Sequence, residues 1–279
     1  MGRMVCPGLF ITWLGIVFLS STMAVKADDD SEVEDEIPFT YDPNSKKGPD
    51  NWGNLKPEWE TCKNGKLQSP IDLSEDRVVV LPALGHLQIT HKQAPAIIKN
   101  RGHDIMVAWE DDAGGIVING TEYKLQQCHW HTPSEHTLNG QRFEMELHMV
   151  HKNYLGQTAV ISIMYKSERP DPFLATLLQS IRNIDREGKS VGVVDPRKIK
   201  FGNGKYFRYI GSLTVPPCTE GVIWTILKKV RRVSCEQIGV LRSAVHDGFE
   251  RNARPTQSSD GRSVYMYRPL TNSTTDYWF

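Results

Sequence analysis

The chain is short of the features that assign a function class by composition alone. It has no net charge, with 33 Lys and Arg against 33 Asp and Glu in 279 residues, and this excludes the basic excess of a dedicated nucleic-acid binder. Past residue 27 no apolar run approaches the ~20 residues of a spanning helix, so no membrane span is expected there. There is no internal repeat and no Pro/Gly-rich linker between residues 39 and 270, which argues for one domain. Metalloprotease signatures are missing too. No H-E-x-x-H occurs, and His131-Thr-Pro-Ser-Glu-His136 is one residue too long for the inverted form. Hydrophobic residues at 39% and aromatics at 9% suffice for a sizeable core and exclude wholesale disorder.

The neutral total conceals unequal segments. Residues 1–27 hold Arg3 and Lys26 and no acid, whereas 28–36 hold seven acids and no base. The remainder has 31 bases against 26 acids, a net +5. A basic start, an apolar stretch from Leu9 to Leu19 and small residues before Asp28 are the grammar of a secretory signal peptide over 1–27, with Val25-Lys26-Ala27 as a cleavage site. That stretch is about half of what a membrane anchor needs. Residues 28–37 are expected to form a disordered acidic spacer, 38–270 the folded domain and 271–279 a flexible tail. Secretion predicts an extracellular or apoplastic location, or an organelle such as the chloroplast reached by the same route. Once Cys6 leaves with the leader, Cys62, Cys128, Cys218 and Cys235 remain, and four cysteines allow three full pairings. Asn119-Gly-Thr121 and Asn272-Ser-Thr274 are glycosylation acceptors compatible with that route.

Most of the domain reads as strands, so the fold class is mainly β (α+β). Residues 122–131 and 142–151 alternate polar and apolar, and apolar runs at 96–98, 105–109, 159–164 and 222–227 add further strands. Helical signals are few. Asp171-Pro172 starts one, with Leu174, Leu177, Leu178 and Ile181 at helical spacing. Ser234 with Gln237 forms a capping box that starts a second, whose buried face is Ile238, Leu241, Val245 and Phe249.

Three of the nine histidines stand out. His129 and His131 are two apart on one strand, so their rings leave the same sheet face. His148 lies in the next strand pattern, where Glu146, His148 and Val150 share a face. If those strands pair, three imidazoles converge. Three neutral nitrogens with an open fourth position are the coordination of a catalytic zinc, whereas structural zinc sites are closed.

Gln127-Cys-His-Trp-His131, Ser134-Glu-His136, Glu146-Leu-His-Met-Val-His151 and Ser212-Leu-Thr-Val-Pro-Pro-Cys218 together resemble an α-class carbonic anhydrase of the plant-type secreted branch. The resemblance extends to Gly48-Pro-Asp-Asn-Trp52, Gln68-Ser-Pro-Ile-Asp72, Asn100-Arg-Gly-His103 and Asn252-Ala-Arg-Pro-Thr-Gln257, in family order over about residues 39–270. It implies a single domain built on a large, mostly antiparallel twisted sheet with short peripheral helices and zinc at the base of a conical cleft. It implies reversible hydration of carbon dioxide to bicarbonate and a proton by zinc-bound hydroxide, with sulfonamides or anions as inhibitors.

Residue by residue, the resemblance makes His129, His131 and His148 the Zn2+ ligands, with Gln127, Glu146 and Asn252 behind them. Thr214 orients the nucleophile and passes its own proton to Glu135. Val150, Val160, Leu213 and Trp224 wall the substrate pocket, and His103 exports the proton with Tyr41 on the water wire. Cys62 and Cys218 pair, while Cys128 between two ligands points to the opposite face as a free thiol. Arg101, Met106 and Val215 depart from the best-known pattern. A guanidinium beside His103 is expected to lower its proton affinity, and hence turnover. A storage or binding protein that lost the chemistry, and a zinc esterase, are the other readings, but the three histidines, Thr214 and Glu135 are all present and favour the lyase.

Overall fold

A computed structural model of the chain describes residues 39–184, 188–201 and 204–269. The signal peptide, the acidic spacer, the 271–279 tail and Asn272 lie outside the described residues. Ten strands carry the fold: β1 Val79–Val80, β2 Ala94–Asn100, β3 Ile105–Trp109, β4 Thr121–His131, β5 Met145–Lys152, β6 Thr158–Ser167, β7 Lys189–Val194, β8 Tyr206–Ser212, β9 Glu220–Leu227 and β10 Tyr265–Tyr267. They pair in the order β7-β2-β3-β4-β5-β6-β9-β8-β10-β1. Along this path β6–β9 and β10–β1 are parallel and the other pairs antiparallel. Short hairpins keep sequential strands adjacent, and Asn119-Gly120, both at positive φ, make the turn into β4 that only such residues adopt without strain.

The centre of the sheet is covered on both faces. Met145 through His151 are all buried, and so are Ala159 through Tyr165. One face packs Ile98, Val107, Cys128, Trp130, Leu147 and Ile161 beneath the helices. The other packs Val150, Val160, Phe207, Tyr209, Leu213 and Trp224. A third cluster gathers Phe39, Tyr41, Trp52, Trp59 and Val215 around the Cys62–Cys218 disulfide, which spans 156 residues of sequence.

The helix capped by Ser234 forms as expected over Cys235–Ala244, with the Ser234–Gln237 capping box present and Ile238 and Leu241 buried. Val245 and Phe249 lie beyond its end. The segment after Asp171 is broken into two helical pieces, Pro172–Ala175 and Leu178–Arg182. Between them the Thr176 and Leu177 amides bond three residues back, to Phe173 and Leu174, and the Thr176 hydroxyl donates to the Phe173 carbonyl at 2.7 Å. A side chain that satisfies a backbone carbonyl competes with the next helical turn. Phe173, Leu174, Leu177 and Ile181 are nonetheless all buried.

A register shift after Val150 accompanies a second polar cluster. His151 Nδ1 donates to the Ala159 carbonyl at 3.3 Å, and its Nε2 lies 3.0 Å from His91 Nε2, the two rings stacked. Both are buried, and burial lowers His91 to about 4 and His151 to about 3.

Candidate active site

Register assembles the site. Cross-strand pairing puts His129 opposite His148 and Ser162 opposite His148 on the next strand. The adjacent row runs Gln127, Val150, Val160, Trp224 and Tyr209 across five strands. His131 pairs with Glu146 on the other side. A period of two then brings all these side chains to one face.

The hydrogen bonds fix the orientation of each ring. A carbonyl oxygen only accepts, so His131 Nδ1 donates to the Asn252 carbonyl at 2.7 Å. His129 Nδ1 donates to Gln127 Oε1 and His148 Nε2 to Glu146 Oε1, each at 2.8 Å. One nitrogen of each ring is thereby held by the protein, and the donor atoms of His129, His131 and His148 lie within 4.8 Å of one another. His131 Nε2 is buried without a hydrogen-bond partner. An orphaned nitrogen where three imidazoles meet, each ring aimed by its own acceptor, is what a divalent metal ligates, so these residues fit a zinc ion. His136, Glu146 and His148 also lie close together, but their atoms are already bonded to each other and support the site instead.

Glu146 anchors this arrangement. Its Oε2 accepts from the Glu135 and His136 amides, both at 2.8 Å, and its Oε1 accepts from His136 Nδ1, His148 Nε2 and Ser162 Oγ. Burial acts to raise its pKa, but His136 and His148 outweigh burial and hold it well below the usual carboxylate range. Behind His136 the chain continues through Tyr209 Oη at 2.7 Å, Ser69 Oγ at 2.8 Å and Ser212. Only glycine fits at 211, where a Cβ would come within 2.2 Å of Ser69 Oγ and 2.6 Å of the Tyr209 ring. Ser212, Leu213 and Thr214 follow directly, so this network reaches the Thr214 loop.

Glu135 Oε1 accepts from the Arg254 amide at 2.9 Å. Its Oε2 lies 3.5 Å from His131 Nε2 and has no hydrogen-bond partner. Thr214 is buried nearby in sequence to the disulfide, but no hydrogen bond joins it to Glu135. Val150, Val160, Leu213 and Trp224 share one buried cluster, and Trp224 stands 4.8 Å from the His148 ring. The Arg254 guanidinium, fully buried, ties Gln68, Ser69 and Cys62 together.

One expectation is corrected. Arg101 does not act on His103 as a lone cation, because it makes a double hydrogen bond to Asp104 at 2.8 and 2.5 Å. That carboxylate stands 3.7 Å from His103 Nε2 and offsets the guanidinium's charge. Asp104 is held strongly ionised: burial opposes this, and Arg101 and His103 overcome it. His103 itself is buried, with its ring 5.6 Å from Phe39. Tyr41 packs edge-on to Phe39, Trp52 and Phe249. Cys128 is a buried free thiol whose pKa burial raises, Cys235 is an exposed free cysteine, and Asn119 is exposed. Sequence reasoning does not single out Asp104, Tyr209, Ser162 or Arg254 as site residues. Arg254 lies inside the Asn252–Gln257 motif, and only its burial reveals its role.

A three-imidazole donor set, each ring oriented by its own acceptor on a sheet face, defines an enzyme centre for a single divalent metal. The family model of eukaryotic-type carbonic anhydrases matches residues 47–268, and the chain belongs to that family. It is 54% identical over 239 residues to alpha carbonic anhydrase 4 of Arabidopsis thaliana, covering 86% of this chain and 89% of that one. Among solved structures it is similar to dioscorin complexed with ascorbate, with TM-score 0.82, 43% identity and coverage of 84% and 99%. It is also similar to the α-carbonic anhydrase of Thermovibrio ammonificans in complex with sulfanilamide, with TM-score 0.74, 33% identity and coverage of 82% and 98%.

Proposed function

We propose that the chain catalyses the reversible hydration of carbon dioxide at a zinc ion held by His129, His131 and His148. The observation that carries this is the set of three oriented imidazoles, each with one nitrogen engaged by its own acceptor, and with His131 Nε2 buried without a partner. Zinc bound there supplies a Lewis acid and brings bound water to a pKa of ~7, carbonic anhydrase being the reference case for that value.

The chain's own residues do the rest. Gln127, the Asn252 carbonyl and Glu146 fix which nitrogen of each ring carries its proton and aim the other inward. Glu135 Oε2, free to accept, would take a hydrogen bond from the Thr214 hydroxyl, which leaves the Thr214 oxygen to accept one from the nucleophile and aim it. Carbon dioxide has no net dipole, and Val150, Val160, Leu213 and Trp224 offer it an apolar wall. His103 carries the proton to solvent, with Tyr41 on the path. Because its ring is packed between Phe39 and Asp104, export requires that ring to swing out, and this supports moderate turnover. Entry to the secretory pathway is supported by the leader-like N-terminus, the Cys62–Cys218 disulfide and the exposed Asn119 acceptor. No helix among the described residues is long and apolar enough to cross a membrane.

Zinc content of the purified protein, measured with stopped-flow hydration and its inhibition by sulfanilamide, tests the proposal. One zinc per chain with sulfanilamide-sensitive hydration is expected. Zinc-loaded protein without hydration would overturn it and favour a binding protein on the same fold.

A further inference from the structure

A cleft of about 520 Å³ opens beside β8, lined mainly from the sheet face away from the histidines, with Tyr209 also on its wall. Its floor follows from the register of β8. Phe207 and Tyr209 point to the metal side, so Tyr206, Arg208 and Ile210 point the other way. Arg208 pairs with Thr225 and Tyr265, and Ile210 with Ile223. Leu67, Leu81, Leu84, Ile118, Ile210 and Ile223 make the lining largely apolar, and the volume lies within the usual ~300–1,000 Å³ range of small-molecule sites.

Two guanidinium groups also line the cleft, and among the described residues no carboxylate does. Arg208 is more than nine-tenths buried. It donates through Nε to Thr225 Oγ1 at 2.9 Å and lies over the Tyr206 ring, which leaves both Nη atoms without an acceptor among the described residues. Burial weakens its hold on its proton, and among the described residues the ionisable groups that oppose this are the phenols of Tyr206 and Tyr123. Arg262 spends its donors on backbone carbonyls of Ser258, Ser259, Ile210 and Gln68. With Nε engaged and no protein acceptor for the Nη atoms among the described residues, those atoms are left to the solvent in the cleft, where an anion can take them. A fixed fork of donors matches a carboxylate in two-point contact.

We propose that this cleft binds an amphipathic monocarboxylate, its carboxylate on Arg208 and its apolar body along Leu81, Leu84, Ile118, Ile210 and Ile223. The site is separate from the histidine centre and does not depend on the reaction proposed for it.

Decanoate and decan-1-ol, titrated calorimetrically into the full-length chain, test the proposal. The wild-type chain should bind decanoate, and Arg208→Gln should weaken that binding by about tenfold or more, the range of a charge-assisted hydrogen bond. The alcohol should bind weakly and equally to both chains, with hydration turnover unchanged in the variant. Should Arg208→Gln fail to fold, Ile210→Glu at a position 43% exposed places a like charge at the cleft and should abolish decanoate binding with the melting temperature intact. Failure of the wild-type chain to bind decanoate, equal affinity of decanoate for wild type and Arg208→Gln, or undiminished binding by Ile210→Glu overturns the assignment.

Discussion

Lowering the pH from 7 to 5 should destabilise the fold through His91 and His151, which take no part in the proposed chemistry. Burial holds their folded pKa values at about 4 and about 3, so both stay neutral at pH 5. Unfolded, each takes up a proton near pH 6.5. The unfolded chain therefore binds more protons below 6.5, stability falls with pH, and the loss is complete only below the folded values. At pH 5 each group has titrated over about 1.5 units at ~1.4 kcal/mol per unit, giving ~2 kcal/mol each and ~4 kcal/mol for the pair. The result depends little on the exact folded values, since both lie well under 5. Urea unfolding at pH 7 and pH 5, for the wild-type chain and for His91→Gln/His151→Asn, isolates the effect. The metal-ligand histidines and the carboxylates are common to both chains and cancel in the difference. About 4 kcal/mol of acid destabilisation should be present in the wild type and missing from the double variant. The same pH dependence in both would refute the reasoning.

Gln127→Ala removes the acceptor that aims His129, and zinc affinity by chelator competition should fall about 10–100-fold; unchanged affinity would remove Gln127 from the site's support. Thr214→Ala should lower hydration turnover by roughly a hundredfold with zinc stoichiometry unchanged, as expected for loss of a proton-positioning group. His103→Ala should lower turnover in dilute buffer and recover with added imidazole, whereas turnover that ignores both changes would exclude His103 from proton export. Replacing both Cys62 and Cys218 by Ser opens a closure of 156 residues and should cost up to about 5 kcal/mol of stability by equilibrium unfolding. It should also slow turnover, because Cys218 lies four residues from Thr214.

Much of the site is legible in the chain's own residue pattern, for identifiable reasons. His129 and His131 share a face because strand side chains alternate, and that holds whatever the neighbours are. The Ser234 helix start is readable because capping is local, Gln237 being three residues away. The helix after Asp171 reads correctly in its buried face and wrongly in its continuity, because the Thr176 hydroxyl takes a carbonyl that periodicity does not see. Arg101 misleads for a related reason. Its charge is plain in the sequence, and its neutralisation by Asp104 is not.

The sequence by itself determined the strand periodicity, the sheet-dominated class, the pair of histidines on one face and the blocks that carry the family resemblance. All of these are local patterns, decided over a few residues. The tertiary structure alone decided that His148 stands opposite His129, that one carboxylate, Glu146, gathers donors from Glu135, His136, His148 and Ser162, and that His103 is packed against Phe39. It also decided that Arg208 is buried in an apolar cleft without a carboxylate partner among the described residues. Protonation, burial and charge balance belong to the set of groups that surround an atom. Those groups come from strands far apart in the chain, and only their register brings them within hydrogen-bonding distance.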